Sequence, residues 1–181
     1  MKRGINTKCL HLEDEEGCFD NYGSLSYPIY QTATYAHPAV GESTGYDYSR
    51  LQNPTREHLE KIVAALEDGI DAIALSSGMA AITLLMEIFK PGDHVIVDSD
   101  LYGGSIRLFS NVQKKKKTIF PRGDCHKEKV EAYITENTKA IYIETPTNPM
   151  MNVTDIEAMV KIAHERGLLL IVDNTFMSPY F

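Results

Sequence analysis

The sequence predicts an α/β fold in which a mostly parallel sheet lies between two layers of helices. Short apolar runs of strand length alternate with longer segments of helical periodicity from residue 53 onward. The apolar runs are continuous and do not alternate with polar residues, which is typical of parallel strands covered on both faces. Together these two observations favour a three-layer architecture for residues 53–181.

The first helix is predicted to begin at Asn53-Pro54. Asn is a good capping residue, and Pro is favoured at the first helical position. Apolar residues then recur with helical spacing up to Gly69, which is expected to end the helix; they are Leu59, Ile62, Val63 and Leu66.

Four β-α repeats and a last strand follow this helix. The predicted strands are Asp71–Leu75, His94–Val97, a weak one at Thr118–Phe120, Ala140–Ile143 and Leu168–Val172. The predicted helices are Met79–Phe89, Gly103–Lys116, Lys127–Glu136, and one that opens at a Thr154-x-x-Glu157 capping box and closes at Gly167.

Residues 1–52 are predicted to form an extended arm. They lack a clear period but carry many tyrosines, which is too aromatic for a disordered tail. Such a segment is expected to pack on something else, either this chain or a neighbouring subunit. The predicted division is therefore an arm at 1–52 and part of a larger domain at 53–181.

Composition and charge exclude several classes of function. The 181 residues carry 18 basic and 25 acidic side chains, a net charge of −7. This balance argues against nucleic acid and anionic membrane surfaces as partners. No apolar run is long enough to span a membrane, the first residues do not resemble a secretory signal, and three loosely spaced cysteines are typical of reduced thiols. We expect a cytoplasmic protein, and the six histidines show no metal-ligand spacing.

Polar residues follow the predicted strands, where ligands of open parallel sheets gather. Ser77-Gly78 opens a helix whose free N–H groups could hold a phosphate, although a tight turn alone would also require Gly. Asp98, Glu144 and Asp173 occupy equivalent strand ends, and the residues alone do not decide which of them meets a ligand.

Two further candidates lie in less regular segments. Tyr102, in a loop with Gly103 and Gly104, could stack on a planar ligand or simply pack against the core. Arg50 could contact a phosphate, or it could be a surface residue beside the helix cap.

Taken together, the motifs resemble the N-terminal half of the Cys/Met-metabolism enzymes that depend on pyridoxal 5′-phosphate (PLP), which include cystathionine γ-synthases, cystathionine β- and γ-lyases and methionine γ-lyases. The segments that carry the resemblance run in order along nearly the whole chain. They are Pro28–Tyr35, Tyr48-Ser49-Arg50 with Asn53-Pro54-Thr55, Ser76–Ala81, Tyr102-Gly103-Gly104, Glu144–Pro149 and Val172–Phe176.

The resemblance implies a fold-type-I large domain, truncated here, and a role for each matching residue. Asp173 would bond to the pyridine nitrogen of PLP, and Tyr102 would stack on the ring and assist proton transfer; these are the expected catalytic residues. Gly78 and Met79 would hold the phosphate, and Asn148 and Thr175 would also contact the cofactor. Tyr48 and Arg50 would reach the site of a neighbouring subunit in a homotetramer built as a dimer of dimers.

The implied activity is β- or γ-elimination or γ-replacement on sulfur amino acids, with cleavage or formation of a C–S bond. Gly104 stands where methionine γ-lyases usually carry Cys, which favours the cystathionine synthase and lyase group. The family's Schiff-base lysine is expected beyond Phe181, so these residues alone are expected to be inactive. The alternatives are a non-catalytic fragment or interaction module, or another fold-type-I enzyme such as an aminotransferase.

Overall fold

The computed structural model describes residues 4–10, 22, 24–123, 125 and 129–181, which fall into two compact units. The first unit comprises residues 1–74 with Tyr180, and the second comprises residues 75–179 with Phe181. Each unit is described by itself. The boundary predicted after residue 52 stays a prediction.

The first unit is built around one long helix. It contains α1 (Ile5–Lys8) and α2 (Pro54–Leu66). The side chain of Asn53 accepts a hydrogen bond from the Thr55 N–H at 2.9 Å, which confirms the predicted helix start. The helix ends at Leu66, three residues before the predicted stop at Gly69.

The aromatic arm packs on α2 of its own chain at several points. The Tyr27 ring stacks on His58 with centroids 3.8 Å apart, and the Tyr46 hydroxyl donates to the Glu57 carboxylate. Thr34 and Tyr48 form an isolated antiparallel bridge. The sequence allowed the arm to pack on its own chain or on a neighbouring subunit, and these contacts are all within its own chain. Tyr48 nevertheless keeps 39% of its surface exposed.

The second unit contains a four-stranded sheet in the order β2-β1-β3-β4. Every pair is parallel, which confirms the predicted sheet class. The strands are β1 (His94–Asp98), β2 (Arg122–Gly123), β3 (Thr138–Glu144) and β4 (Leu169–Asp173). Within the described residues β4 is an edge strand, and its first residue, Leu169, is 53% exposed.

Helices cover both faces of this sheet and make three layers. They are α3 (Gly78–Leu85), extended by a 3₁₀ turn at Met86–Ile88, α4 (Gly103–Lys116), a 3₁₀ turn at Val130–Tyr133, and α5 (Ile156–Glu165). Ile82 of α3 and Phe109 of α4 pack in one core cluster with Val95 and Val97 of β1. Met159 of α5 packs in a second cluster with Ile96, which lies between Val95 and Val97 on β1, and with Ile141 and Ile143 of β3. Because successive strand residues point to opposite faces, the two clusters lie on opposite sides of the sheet.

The predicted strand at Asp71–Leu75 is wrong. The segment is extended but joins no ladder in the described residues, and Ile73 is 68% exposed. The Ala74 N–H donates to the side chain of Glu60 at 2.8 Å and not to a neighbouring strand. An apolar run becomes a strand only where another backbone pairs with it, and no strand of the described residues pairs with this one.

Three smaller predictions also need correction. Thr118–Phe120 contributes only an isolated bridge between Ile119 and His94, and the ladder with β1 comes at β2 instead. The described part of Lys127–Glu136 contains only the 3₁₀ turn. The cap of α5 is Asp155, which accepts from the Ala158 N–H, whereas Thr154 is buried and donates its N–H to the Thr145 hydroxyl.

Candidate active site

The carboxyl ends of β3 and β4 form the floor of the candidate site. Glu144 and Asp173 are paired in the parallel register as the last residues of their strands. The loop from β1 to α4 reaches the same edge, because the Tyr102 N–H donates to Glu144. The sequence prediction that these strand ends share one rim is therefore confirmed.

A cleft of about 470 Å³ opens at this rim. Its volume falls within the range typical of small-molecule and cofactor sites. Six of the eight residues predicted for the site line it, namely Gly78, Met79, Tyr102, Asn148, Asp173 and Thr175. The other two, Tyr48 and Arg50, belong to the first unit.

The start of α3 forms one wall of the cleft. The Ser77 hydroxyl caps the helix by accepting from the Ala80 N–H at 3.1 Å. The space beside Gly78 is open, since a Cβ placed there would have no heavy atom within 4 Å. An anion can therefore approach the first N–H groups of the helix, where the helix dipole also favours negative charge.

Asp173 is held by three donors from two directions. Its Oδ1 accepts from the N–H and the hydroxyl of Thr175, at 3.2 and 2.5 Å. Its Oδ2 accepts from the hydroxyl of Tyr142 at 3.0 Å. Burial and the neighbouring Asp173 carboxylate raise the pKa of Tyr142 above its ordinary value, so this phenol remains a donor.

Glu144 is a buried carboxylate that joins two loops. Oε2 accepts from the Tyr102 N–H at 2.8 Å, and Oε1 accepts from the Asn148 N–H at 2.9 Å. Only 5% of the residue is exposed. Burial raises the pKa of Glu144, and the two backbone hydrogen bonds oppose that rise.

Asp98, the third strand-end acid, organises its own loop. Its Oδ1 accepts from the Asp100 N–H at 3.2 Å, and the residue is not among those that line the cleft in the described chain. Asp100 in turn accepts from the Thr147 hydroxyl and from the Asn152 side chain at 3.1 Å. The loops after β1 and β3 are therefore tied together directly.

Tyr102 lies at the mouth of the cleft and is 45% exposed. A Cβ on Gly104 would lie 2.4 Å from Cε1 of the Tyr102 ring and 2.9 Å from Sδ of Met79. Only glycine at position 104 therefore leaves room for this placement of the ring.

Sequence reasoning missed Tyr142 and left the part played by Glu144 open. Strand alternation carried a signal for both, because Tyr142 lies two residues before Glu144 and so shares its face of β3. Both line the cleft. The apolar pattern of the predicted strand Ala140–Ile143 does not by itself distinguish the hydroxyl of Tyr142 from its aliphatic neighbours.

Comparison with known proteins identifies the family. A sequence model of the Cys/Met metabolism PLP-dependent enzymes matches residues 6–181. The chain belongs to this family. It is 52% identical over 180 residues to a cystathionine gamma-synthase/O-acetylhomoserine (thiol)-lyase of Bacillus subtilis, covering 99% of this chain and 48% of the relative.

Other relatives in the Cys/Met metabolism PLP-dependent family agree. A cystathionine gamma-lyase of Bacillus subtilis is 51% identical over 162 residues, covering 88% of this chain and 42% of that protein. The crystal structure of a cystathionine gamma-lyase from Lactobacillus plantarum complexed with L-serine superposes with a TM-score of 0.89 at 43% identity. It matches 98% of this chain and 46% of that one, so the chain spans about half the length of these relatives.

These matches confirm the predicted family, the fold-type-I α/β class and PLP as the cofactor of the family. Among the described residues, no cluster of three or more His, Cys, Asp or Glu could hold a metal ion. Every described helix falls short of the length and apolar character that a membrane span requires.

Proposed function

We propose that this chain supplies the N-terminal arm and the cofactor-binding cleft of a PLP-dependent enzyme that acts on sulfur amino acids. The reaction would be β- or γ-elimination or γ-replacement, of the cystathionine γ-synthase or cystathionine lyase type, with cleavage or formation of a C–S bond. The observation that carries the proposal is the convergence of Asp173, Tyr102 and the start of α3 on one cleft.

The residues present fit PLP. The open N-terminus of α3 at Gly78 and Met79 suits a phosphate, and Asp173, which lines the same cleft, suits the pyridine nitrogen. When bound, PLP supplies an electron sink that stabilises negative charge at carbon atoms of the substrate. The described residues that line the cleft include no lysine. As the resemblance implies, we propose that the lysine that holds the cofactor covalently belongs to the part of the relatives' length that this chain does not span.

Each side chain then has a defined task. Asp173, held in place by Thr175 and Tyr142, would direct its carboxylate to the nitrogen end of the ring. Tyr102, which lines the cleft and is 45% exposed, would cover the ring face and could move a proton with its hydroxyl. Asn148 and Thr175 would make further contacts with the cofactor.

The substrate class rests on the relatives and on Gly104. The relatives named above are a cystathionine gamma-synthase/O-acetylhomoserine (thiol)-lyase and two cystathionine gamma-lyases. Position 104 is glycine, where methionine γ-lyases usually carry Cys, and the resemblance therefore favours the synthase and lyase group. Synthase and lyase activities remain open alternatives within this proposal.

A substrate panel tests the proposal. The holoenzyme is incubated with cystathionine, with methionine and with O-acylhomoserines plus cysteine, and released thiol, 2-oxo acid and thioether are measured. We expect turnover of cystathionine or of O-acylhomoserines, dependent on added PLP. Transamination without C–S chemistry would instead support the aminotransferase alternative, and PLP binding without any turnover would support a non-catalytic module.

We further propose that the arm serves a neighbouring subunit of a homo-oligomer, a dimer of dimers. Arg50 and Tyr48 are both exposed, and the guanidinium carbon lies 5.1 Å from the centroid of the tyrosine ring. This arrangement presents a cation and a phenol together, as a phosphate contact requires.

Subunit mixing tests the arm. Arg50→Ala and Asp173→Asn subunits should each be nearly inactive alone. If the arm crosses to a neighbour, a random 1:1 mixture should regain about a quarter of wild-type activity, because half of the dimers are mixed and each has one intact site. Failure of the mixture to regain activity would mean that each arm serves its own subunit.

A further inference from the structure

We propose that Glu144 is a positioning residue that sets Tyr102 and Asn148 relative to each other at the rim of the cleft. This inference rests on the cofactor contacts proposed above for those two residues. It assigns Glu144 no contact with the cofactor or the reacting atoms.

The geometry of the carboxylate carries the proposal. The two oxygens of Glu144 accept from main-chain N–H groups of two separate segments, at 2.8 and 2.9 Å. One segment enters α4, whose N-cap is Tyr102, and the other belongs to the loop after β3. The carboxylate of Glu144, at the end of a central strand, thus fixes the backbone of Tyr102 and of Asn148, the two residues proposed to contact the cofactor.

A buried acid among other acids needs a reason. Two acidic residues act electrostatically on Glu144, Asp173 on β4 and Asp100 in the adjoining loop. Burying a carboxylate beside like charges costs stability unless backbone donors compensate it, as these two do. An apolar residue at 144 would avoid that cost but would leave both N–H groups without this acceptor.

A hydrogen bond between Thr147 and Asp100 also joins these two loops, but it does not replace the contacts made by Glu144. Thr147 is fully buried, and its hydroxyl donates to Asp100, two residues before Tyr102. That bond fixes how the two loops lie together. It leaves the N–H of Tyr102 itself to be fixed by Glu144.

The test replaces Glu144 by Gln in the holoenzyme. Glutamine has nearly the same shape but offers one acceptor oxygen, so one of the two N–H groups loses its partner. The measurements are the dissociation constant of PLP, the circular dichroism of the bound cofactor, and kcat and KM separately. Thr138→Val is the matched control, because Thr138 is a buried polar residue at the opposite end of the same strand, bonded to His94 at 2.8 Å.

We expect Glu144→Gln to weaken PLP binding about tenfold and to reduce the cofactor dichroism and kcat, because a hydrogen bond to a charged group is lost. Its melting temperature should stay near that of the wild type, since a buried charge is removed as well. Thr138→Val should lower the melting temperature and leave the cofactor signal unchanged. A structural role alone would produce the reverse pattern for Glu144→Gln.

Two results would overturn the inference. The first is that Glu144→Gln leaves the cofactor dichroism and the PLP affinity unchanged while Tyr102→Ala alters both. That result would refute the role of Glu144 and leave the proposed function intact. The second is a signal unchanged in Tyr102→Ala, which removes the proposed role of Tyr102 as well.

Discussion

Replacement of Tyr142 by Phe isolates the contribution of one buried hydroxyl to the site. The residue is 1% exposed, and its hydroxyl donates to Asp173 at 3.0 Å. A hydrogen bond to a charged group contributes about 1.5–3 kcal/mol, and the two remaining Thr175 donors place the expected loss at the lower end. We therefore expect the free energy of unfolding to fall by about 1.5–2 kcal/mol.

The same variant should bind PLP more weakly, because Asp173 loses one of the donors that orient it. PLP stabilises the folded state by mass action, so tenfold weaker binding would reduce the PLP-induced gain in unfolding free energy by about 1.4 kcal/mol. The assay is urea unfolding with and without saturating PLP, with Thr138→Val as a control of similar intrinsic destabilisation. The reasoning fails if Tyr142→Phe and Thr138→Val keep the same PLP-induced gain.

Three other predictions concern single positions. Asp173→Asn should reduce kcat by at least about 100-fold while PLP binding changes less, and near-normal turnover would identify the wrong acid. Gly104→Ala should displace the Tyr102 ring and lower kcat/KM, whereas Gly123→Ala, which crowds Tyr133 at 2.8 Å, should affect stability alone; equal effects on activity would contradict this. Burial lowers the pKa of His94 below 6.5, so its stabilising contribution is present above pH 6.5 and is lost as pH falls through the lowered value. Unfolding free energies at pH 7.5 and 5 should therefore differ more for the wild type than for His94→Asn, and an equal difference would refute the assignment.

The sequence was sufficient for several elements that local chemistry determines. Asn53-Pro54 starts α2, and the apolar runs that became β1 and β3 are buried, whereas β4 begins with the exposed Leu169 and is partly buried after it. The rim residues followed from the rule that parallel strands present their carboxyl ends on one edge.

Long-range contacts determine what the sequence did not reveal. The Asp71–Leu75 run has strand composition, yet pairing depends on a neighbour that no local pattern specifies. Thr154 matched a capping box, but its N–H is taken by Thr145, nine residues earlier, and Asp155 caps the helix. The partnership of Tyr142 with Asp173 joins residues 31 positions apart, so it needs the strand register to be seen.

The edge position of β4 makes residues 1–181 prone to aggregation. One side of this strand carries backbone donors and acceptors that no described strand takes up, beside the exposed Leu169. Such an edge is a template for pairing with other chains, so residues 1–181 expressed on their own should aggregate with rising concentration and temperature. Leu169→Lys should reduce that aggregation, because a charge on an edge strand is costly to bury.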